Sequence, residues 1–345
     1  MANAIKTVTF GEIMLRLSPP GFERFFQSPL LQATFGGGEA NVAVSLSHFG
    51  LDSYYVTRVP ANAIGEAAIR ALRAEGVHTE FVQRGGDRLG IYFAETGASQ
   101  RASAVVYDRA CSAIAGVQPG DIAWSVALAG AAWFHVTGIT PALGPGVAAA
   151  TMEAVDAARA AGARISLDLN YRAKLWSQSR AREVMRPLAA RADVLVANEE
   201  DIQASLGLEV HGADVTSGRL DVAGYRAVAE RVACELDVAL VAITLRQSFS
   251  ASRNGWSAVL YDAPHAEFHE SQRYDVTVVD RIGGGDSFAA GLIYALAAGR
   301  PPAAALRFAV AASALKHTIP GDFNRMTVAE VDRLAEGDES GRVQR

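Results

Sequence analysis

Short apolar runs rich in valine and isoleucine alternate along this chain with longer amphipathic, alanine-rich stretches. That change of period predicts parallel strands covered by helices. The apolar runs place strands at Thr7–Phe10, Ser53–Val59, Ala131–Val136, Arg164–Asp168, Val194–Ala197 and Val238–Thr244. Two of the helices between them end on a glycine: Asn41–Phe49 runs into Gly50, and Gly146–Ala161 runs into Gly162. A glycine suits the residue that closes a helix. Right-handed crossovers then bring the carboxyl ends of the strands, with their loops, to one edge where ligands collect.

Two segments break the alternation. Residues 14–35 and 89–106 show little helical periodicity, and Ile91–Thr96 and Ser103–Tyr107 look extended. They are expected to pair as a small sheet projecting from the core, a discontinuous lid whose exposed face serves as a dimer surface. Residues 1–336 then form one domain without internal repeats, and residues 337–345 a polar tail.

Composition narrows the class. With 345 residues, half of them hydrophobic and a fifth charged, the chain is globular and long enough for one large α/β domain. A net charge of −5 with acids and bases interspersed gives no basic track for a phosphodiester backbone, which argues against nucleic acid. The opening MANAIKTVTFGEIML lacks the layout of a secretory signal, and the apolar stretch Ala123–Phe134 is too short to cross a bilayer. Cys111 and Cys234 stand in no metal or redox spacing, which suits a reducing cytoplasm.

The chemistry concentrates in residues 276–292, VTVVDRIGGGDSFAAGL. An extended run ends at Asp280, three glycines follow (Gly283, Gly284 and Gly285), and an amphipathic apolar stretch begins immediately after Asp286. Successive residues without β-carbons let backbone N–H groups converge on an anion, and the helix adds the positive end of its dipole. Asp286 has two possible uses there. It can cap the helix, or it can take the proton of a hydroxyl attacking a phosphate whose charge the glycine amides stabilise. No glycine precedes a lysine, and neither glycine cluster fits GxGxxG, so the commoner nucleotide loops are absent. A second glycine turn, Gly36-Gly37-Gly38, leads through Glu39 and Ala40 to Asn41. Its small residues admit a polyhydroxylated ligand to the backbone, and the Asn41 amide both donates to and accepts from hydroxyls.

Together, GGGEANVA near the start and DRIGGGDSFAAG near the end closely resemble the paired signatures of the PfkB (ribokinase-like) carbohydrate kinases, and the α/β pattern matches over nearly the whole chain. The resemblance implies a three-layer α/β/α core with a mainly parallel sheet, a β-sheet lid, ATP with Mg²⁺ as donor, and Asp286 as base. The chain departs from the family at Arg281, where a small or hydroxyl-bearing residue is usual; that side chain faces either phosphates or solvent. Asn198-Glu199-Glu200-Asp201 resembles the family's Asn-x-x-Glu element with Asp201 in the place of Glu. Asn198 is thereby implied at the nucleotide, and Glu199, Glu200 or Asp201 at an indirect, water-mediated Mg²⁺ site. An acidic first helical turn is the alternative. Thr244, Arg246 and Ser248 fall in a segment that resembles the family's nucleotide loop, with a solvated turn as the alternative.

Tyr107 and Arg109 end the lid segment, and Arg172 follows a core strand. If both segments enter the cleft, two guanidinium groups and a tyrosyl hydroxyl suit a carboxylate better than a neutral hexose; otherwise these are solvated surface arginines. With Tyr92 and the closing Lys316–Asn324 segment, they are similar to the 2-keto-3-deoxygluconate kinases. That resemblance places Gly37, Gly38, Asn41, Tyr92, Tyr107, Arg109 and Arg172 around a sugar acid, with Asp322 nearby. The rival expectations are a fructokinase or ribokinase acting on a neutral sugar, and a catalytically idle sugar-binding regulator. His265 and His269 are expected to be surface or strand residues, and His135 a core residue with a satisfied ring.

Overall fold

The structure is a computed structural model that describes residues 5–209, 222–338 and 341. The proposed tail therefore lies largely outside the described residues. The chain opens with strands β1 (Lys6–Phe10), β2 (Met14–Ser18) and β3 (Gln32–Gly36), helix α1 (Gly38–His48), β4 (Asp52–Val59), α2 (Ala63–Ala74), β5 (Val82–Arg84), β6 (Gly90–Glu95) and β7 (Ala104–Asp108). A short α3 (Trp124–Ala127) precedes the alternating stretch of β8 (Trp133–Thr137), α4 (Pro145–Ala160), β9 (Arg164–Asp168), α5 (Gln178–Ala189), β10 (Val194–Ala197) and α6 (Glu199–Leu206). Next come α7 (Val222–Leu236), β11 (Leu240–Ser248), β12 (Arg253–Asp262), β13 (Glu267–Glu270) and β14 (Tyr274–Thr277), followed by α8 (Gly284–Ala297), α9 (Pro302–Lys316) and α10 (Val328–Ala335).

The main sheet runs β13-β12-β11-β10-β9-β8-β1-β4-β5, with β14 beside β12. From β11 to β5 every pairing is parallel, while β12 pairs antiparallel with its three neighbours. Parallel strands are buried on both faces, and so these runs are buried from end to end: all of WFHVT in β8 and VLVA in β10 is buried. One core joins the sheet to α4, α5 and α7 through Val147, Ala154, Met185 and Val232; the other joins it to α1, α8 and α9 through Leu46, Phe288 and Phe308. This is the three-layer α/β/α arrangement.

The six expected strands are present. Residues 131 and 132 precede β8, and β11 runs on to Ser248 because its antiparallel partner β12 keeps pairing with it after β10 ends opposite Ile243. Gly50 and Gly162 close α1 and α4 with φ of 84° and 76°. Segments 14–36 and 90–108 form a separate four-stranded sheet of order β3-β2-β6-β7. Each segment is an antiparallel pair, β2 with β3 and β6 with β7, and the parallel β2–β6 pairing joins the two side by side.

His265 is exposed in a turn and pairs with Asp262 at 2.8 Å, and His269 lies on β13. His135 is fully buried with Nδ1 2.8 Å from Ser166 Oγ, but its Nε2 has no partner, so the ring is only half satisfied. Burial lowers its pKa to about 3, and the ring is neutral.

Candidate active site

The carboxyl ends of the parallel strands and the inner face of the small sheet enclose a cavity of about 420 Å³. Both glycine turns open into it. The first carries β3 into α1, and its backbone is so close to the link between β1 and β2 that a β-carbon at Gly37 would strike the Glu12 carbonyl oxygen. The second precedes α8. Gly283 holds φ at 86° in the position that caps this helix, and no side chain caps it.

Asp286 is therefore no helix cap. Its Oδ2 accepts a 2.7 Å hydrogen bond from Asn41 Nδ2, joining two turns that are 245 positions apart in sequence. Gly38 faces the other oxygen, which would lie 3.7 Å from a β-carbon there. Burial raises the pKa of Asp286 to about 6 and the Asp322 charge adds to this, while Asn41, Arg172 and Lys316 act in the opposite direction. A carboxylate poised in this way accepts protons near neutrality.

Most of the sequence-derived residues share this cavity. Gly37, Gly38 and Asn41 line it from the first turn, and Gly283, Gly285 and Asp286 from the second. Tyr92, Tyr107 and Arg109 face it from the small sheet, and Arg172, Asn198, Glu200, Asp201, Thr244 and Arg246 from the core, together with Asp322. Three do not. Gly284 packs beneath the His317 ring, Glu199 accepts a hydrogen bond from Tyr225, and Ser248 is exposed at the far end of the β11–β12 hairpin.

The two arginines differ. Arg109 is spent on Glu12: its Nε donates to Oε2 at 2.8 Å, its Nη2 bonds the same oxygen, and Ser112 Oγ donates to Oε1 at 2.5 Å. Arg172 donates from Nη1 to the Tyr171 carbonyl at 2.9 Å and has no carboxylate at ion-pair distance among the described residues. Asp322 and Tyr92 bond each other, with the phenol oxygen 2.6 Å from both carboxylate oxygens.

Sequence reasoning missed what stands behind these residues. Arg16 on β2 bridges Asp280 at 2.6 Å and Asp322 at 2.8 Å, all three buried, and so ties the small sheet to the second glycine turn. Lys316 is fully buried beside Gly283, with Nζ 3.3 Å from the Ile319 carbonyl. Burial lowers its pKa, while Asp280, Asp322 and Asp286 favour its charge. Glu39 accepts through Oε1 from Thr137 N, Thr137 Oγ1 and Thr140 Oγ1 at 2.9, 2.8 and 2.7 Å, which fixes the end of β8 against α1. The only signal in the sequence was alternation: in MLRLS, Arg16 falls on the same inward face as Met14.

The acidic side of the cavity holds Asp168, Glu200 and Asp201. Burial raises the pKa of Asp201 to about 6; burial first, and then the charges of Asp201 and Asp286, raise that of Asp168 well above its ordinary range. Asn198 caps α6 by accepting from Asp201 N at 2.8 Å, and Asp201 Oδ1 accepts from Tyr171 N at 2.8 Å. No group of three metal-ligating side chains converges among the described residues. An all-oxygen donor set of this kind fits Mg²⁺ held through waters and phosphate oxygens rather than in a protein cage.

An ionisable base beside an anion-binding turn, in a cavity lined with amide and hydroxyl groups, is equipped for phosphoryl transfer to an alcohol. The sequence matches the pfkB family carbohydrate kinases over residues 5–326. It is 35% identical over 334 residues to the 2-dehydro-3-deoxygalactonokinase of Haloferax volcanii, covering 97% of this chain and 98% of that protein. The crystal structure of 2-dehydro-3-deoxygluconokinase from Thermotoga maritima superposes with a TM-score of 0.93 at 48% identity, covering 96% of this chain and all of that one. A PfkB family carbohydrate kinase from Listeria grayi gives 0.88 at 34% identity, covering 96% and 99%. Sequence and fold agree over the same span, and the chain belongs to the PfkB family of carbohydrate kinases.

Proposed function

We propose that the protein phosphorylates 2-keto-3-deoxygluconate on its terminal hydroxyl with ATP, yielding 2-keto-3-deoxy-6-phosphogluconate and ADP. The observation that carries this reading is one cavity holding both Asp286, with an oxygen facing Gly38, and Arg172, a guanidinium with no ion-pair partner among the described residues. Arg172 receives the substrate carboxylate and Tyr107 a substrate oxygen. Arg109, neutralised by Glu12, shapes that end of the site more than it charges it. The two similar kinases named for 2-dehydro-3-deoxy sugar acids support the same substrate class.

Asp286 takes the proton of the attacking hydroxyl, and Asn41 holds its carboxylate in place. Amides of the second glycine turn stabilise the transferring group. Glu200 and Asp201 would hold Mg²⁺ through waters, and the bound ion would supply positive charge against the phosphates. The small sheet, residues 14–35 and 89–106, acts as a lid that excludes water and so limits wasteful hydrolysis of ATP. A second copy of the chain covers the small sheet at the segment joining β2 to β3, where Phe22, Phe26 and Leu30 are exposed. No helix among the described residues is long and apolar enough to cross a membrane, and both cysteines are free, which supports a cytoplasmic setting.

A coupled ADP-release panel comparing 2-keto-3-deoxygluconate, its galacto epimer, fructose and ribose tests the reading. Preference for a keto acid supports it. Preference for fructose or ribose makes the protein a neutral-sugar kinase, and sugar binding without ADP release makes it a regulator.

A further inference from the structure

One corner of the cavity is left unused by the chemistry above. It lies between β11, β12 and the residues that lead into the second glycine turn. Arg246 on β11 and Arg281, two residues before Gly283, both line it. Neither has a carboxylate at ion-pair distance among the described residues. Arg281 donates from Nη2 to the Ala251 carbonyl at 2.9 Å, but its buried Nε has no partner. Below them, two positions apart on one face of β12, stand Asn254 and Trp256. Asn254 is 1% exposed, yet both its Nδ2 and Oδ1 lack partners, as does Nε1 of the buried Trp256. A buried polar atom left unpaired costs about 1–3 kcal/mol, and native structures rarely tolerate several together. Four such atoms, three of them donors and one of these on Arg281 itself, gathered where two like charges meet describe a seat for an anion with several acceptor oxygens. Burial and the nearby Arg246 charge lower the pKa of Arg281, a mutual repulsion that such an anion would relieve.

We propose that Arg281 and Arg246, seated over Asn254, grip the β-phosphate of the donor nucleotide and stabilise the charge that collects there as the γ-phosphoryl group departs. This rests on the reading that ATP is the donor. As the acceptor oxygen gives its proton to Asp286 and bonds to the γ-phosphorus, the bond from that phosphorus to the β,γ-bridging oxygen breaks. Its electron pair stays on that oxygen, which becomes a terminal oxygen of the ADP β-phosphate. The new charge therefore appears where two guanidinium forks can accept it, and a fork binds adjacent phosphate oxygens pairwise, as a small or hydroxyl-bearing residue at position 281 would not.

The test is calorimetric titration of ADP and AMP into the wild-type chain, Arg281→Gln and Asn254→Ala, with thermal melts to confirm folding. AMP lacks the phosphate in question. Arg281→Gln is expected to weaken ADP binding by about 10- to 100-fold, the size of a charge-assisted contact, and AMP binding by no more than about twofold. Turnover should fall by about 100-fold with an unchanged sugar KM, and added guanidinium ion should partly restore it in Arg281→Ala but not in Asp286→Asn. Equal losses for ADP and AMP, unchanged ADP affinity, or no rescue would overturn the assignment of Arg281 while leaving the kinase reading intact. A folded wild-type chain that binds neither nucleotide overturns both.

Discussion

Asp286 shows how one side chain carries opposite demands. Its folded pKa of about 6 lies above the ordinary 3.8, so the folded chain binds that proton more tightly than the unfolded chain does. Ionised Asp286 therefore costs stability, fully so above pH 6, and the cost fades as the pH falls toward 4. Asp286→Asn should raise stability at pH 7.5 by on the order of 1 kcal/mol, allowing for solvent screening. Melts across this pH range would show the gain shrinking with acidity. The same variant should lose about 10³-fold or more in turnover while still binding ATP, and wild-type kcat/KM should fall as the pH drops through about 6. Undiminished turnover would remove Asp286 from its role as base. Arg172 sets the complementary prediction. Arg172→Ala should lower kcat/KM for the keto acid by about 10- to 100-fold and for fructose or ribose by no more than about threefold; equal losses would show that no carboxylate binds there.

At the scale of elements, the bond from β2 to the turn before α8 decides how the small sheet is held. Arg16→Ala leaves Asp280 and Asp322 buried without their shared cation and should cost about 3–5 kcal/mol in urea unfolding, the usual result of breaking a buried pair from one side. Replacing all three by uncharged residues of similar volume should recover most of the loss. A single-variant loss below about 1 kcal/mol would mean that the acids find other partners or protonate cheaply. The same bridge marks the limit of what the sequence reveals. Strands, helix ends and both glycine turns were legible because each depends on residues close together in the chain. Arg16 meets Asp280 and Asp322 across 264 and 306 positions, and Arg109 meets Glu12 across 97. Only the topology brings those charges together, so the sequence offered Arg109 as a free cation when it is already paired.

Across the whole molecule, the edges of the small sheet are β3 and β7, and edge strands recruit partners. Phe26 is 74% and Phe22 58% exposed on the segment joining β2 to β3, more apolar surface than an isolated lid needs. Sedimentation of the purified chain should show a dimer that Phe22→Asp with Phe26→Asp converts to monomer, with each subunit's fold intact. A wild-type monomer at micromolar concentration would leave that surface without a second copy of the chain.

The charge bridge at the root of the small sheet also constrains how such proteins can be recombined. A chimera that imports residues 14–36 and 90–108 from a relative without a cation at position 16 would strand two acids in its interior. Arg16, Asp280 and Asp322 form one electrostatic unit scattered over three distant stretches of chain, and a graft succeeds only when it moves all of them or none.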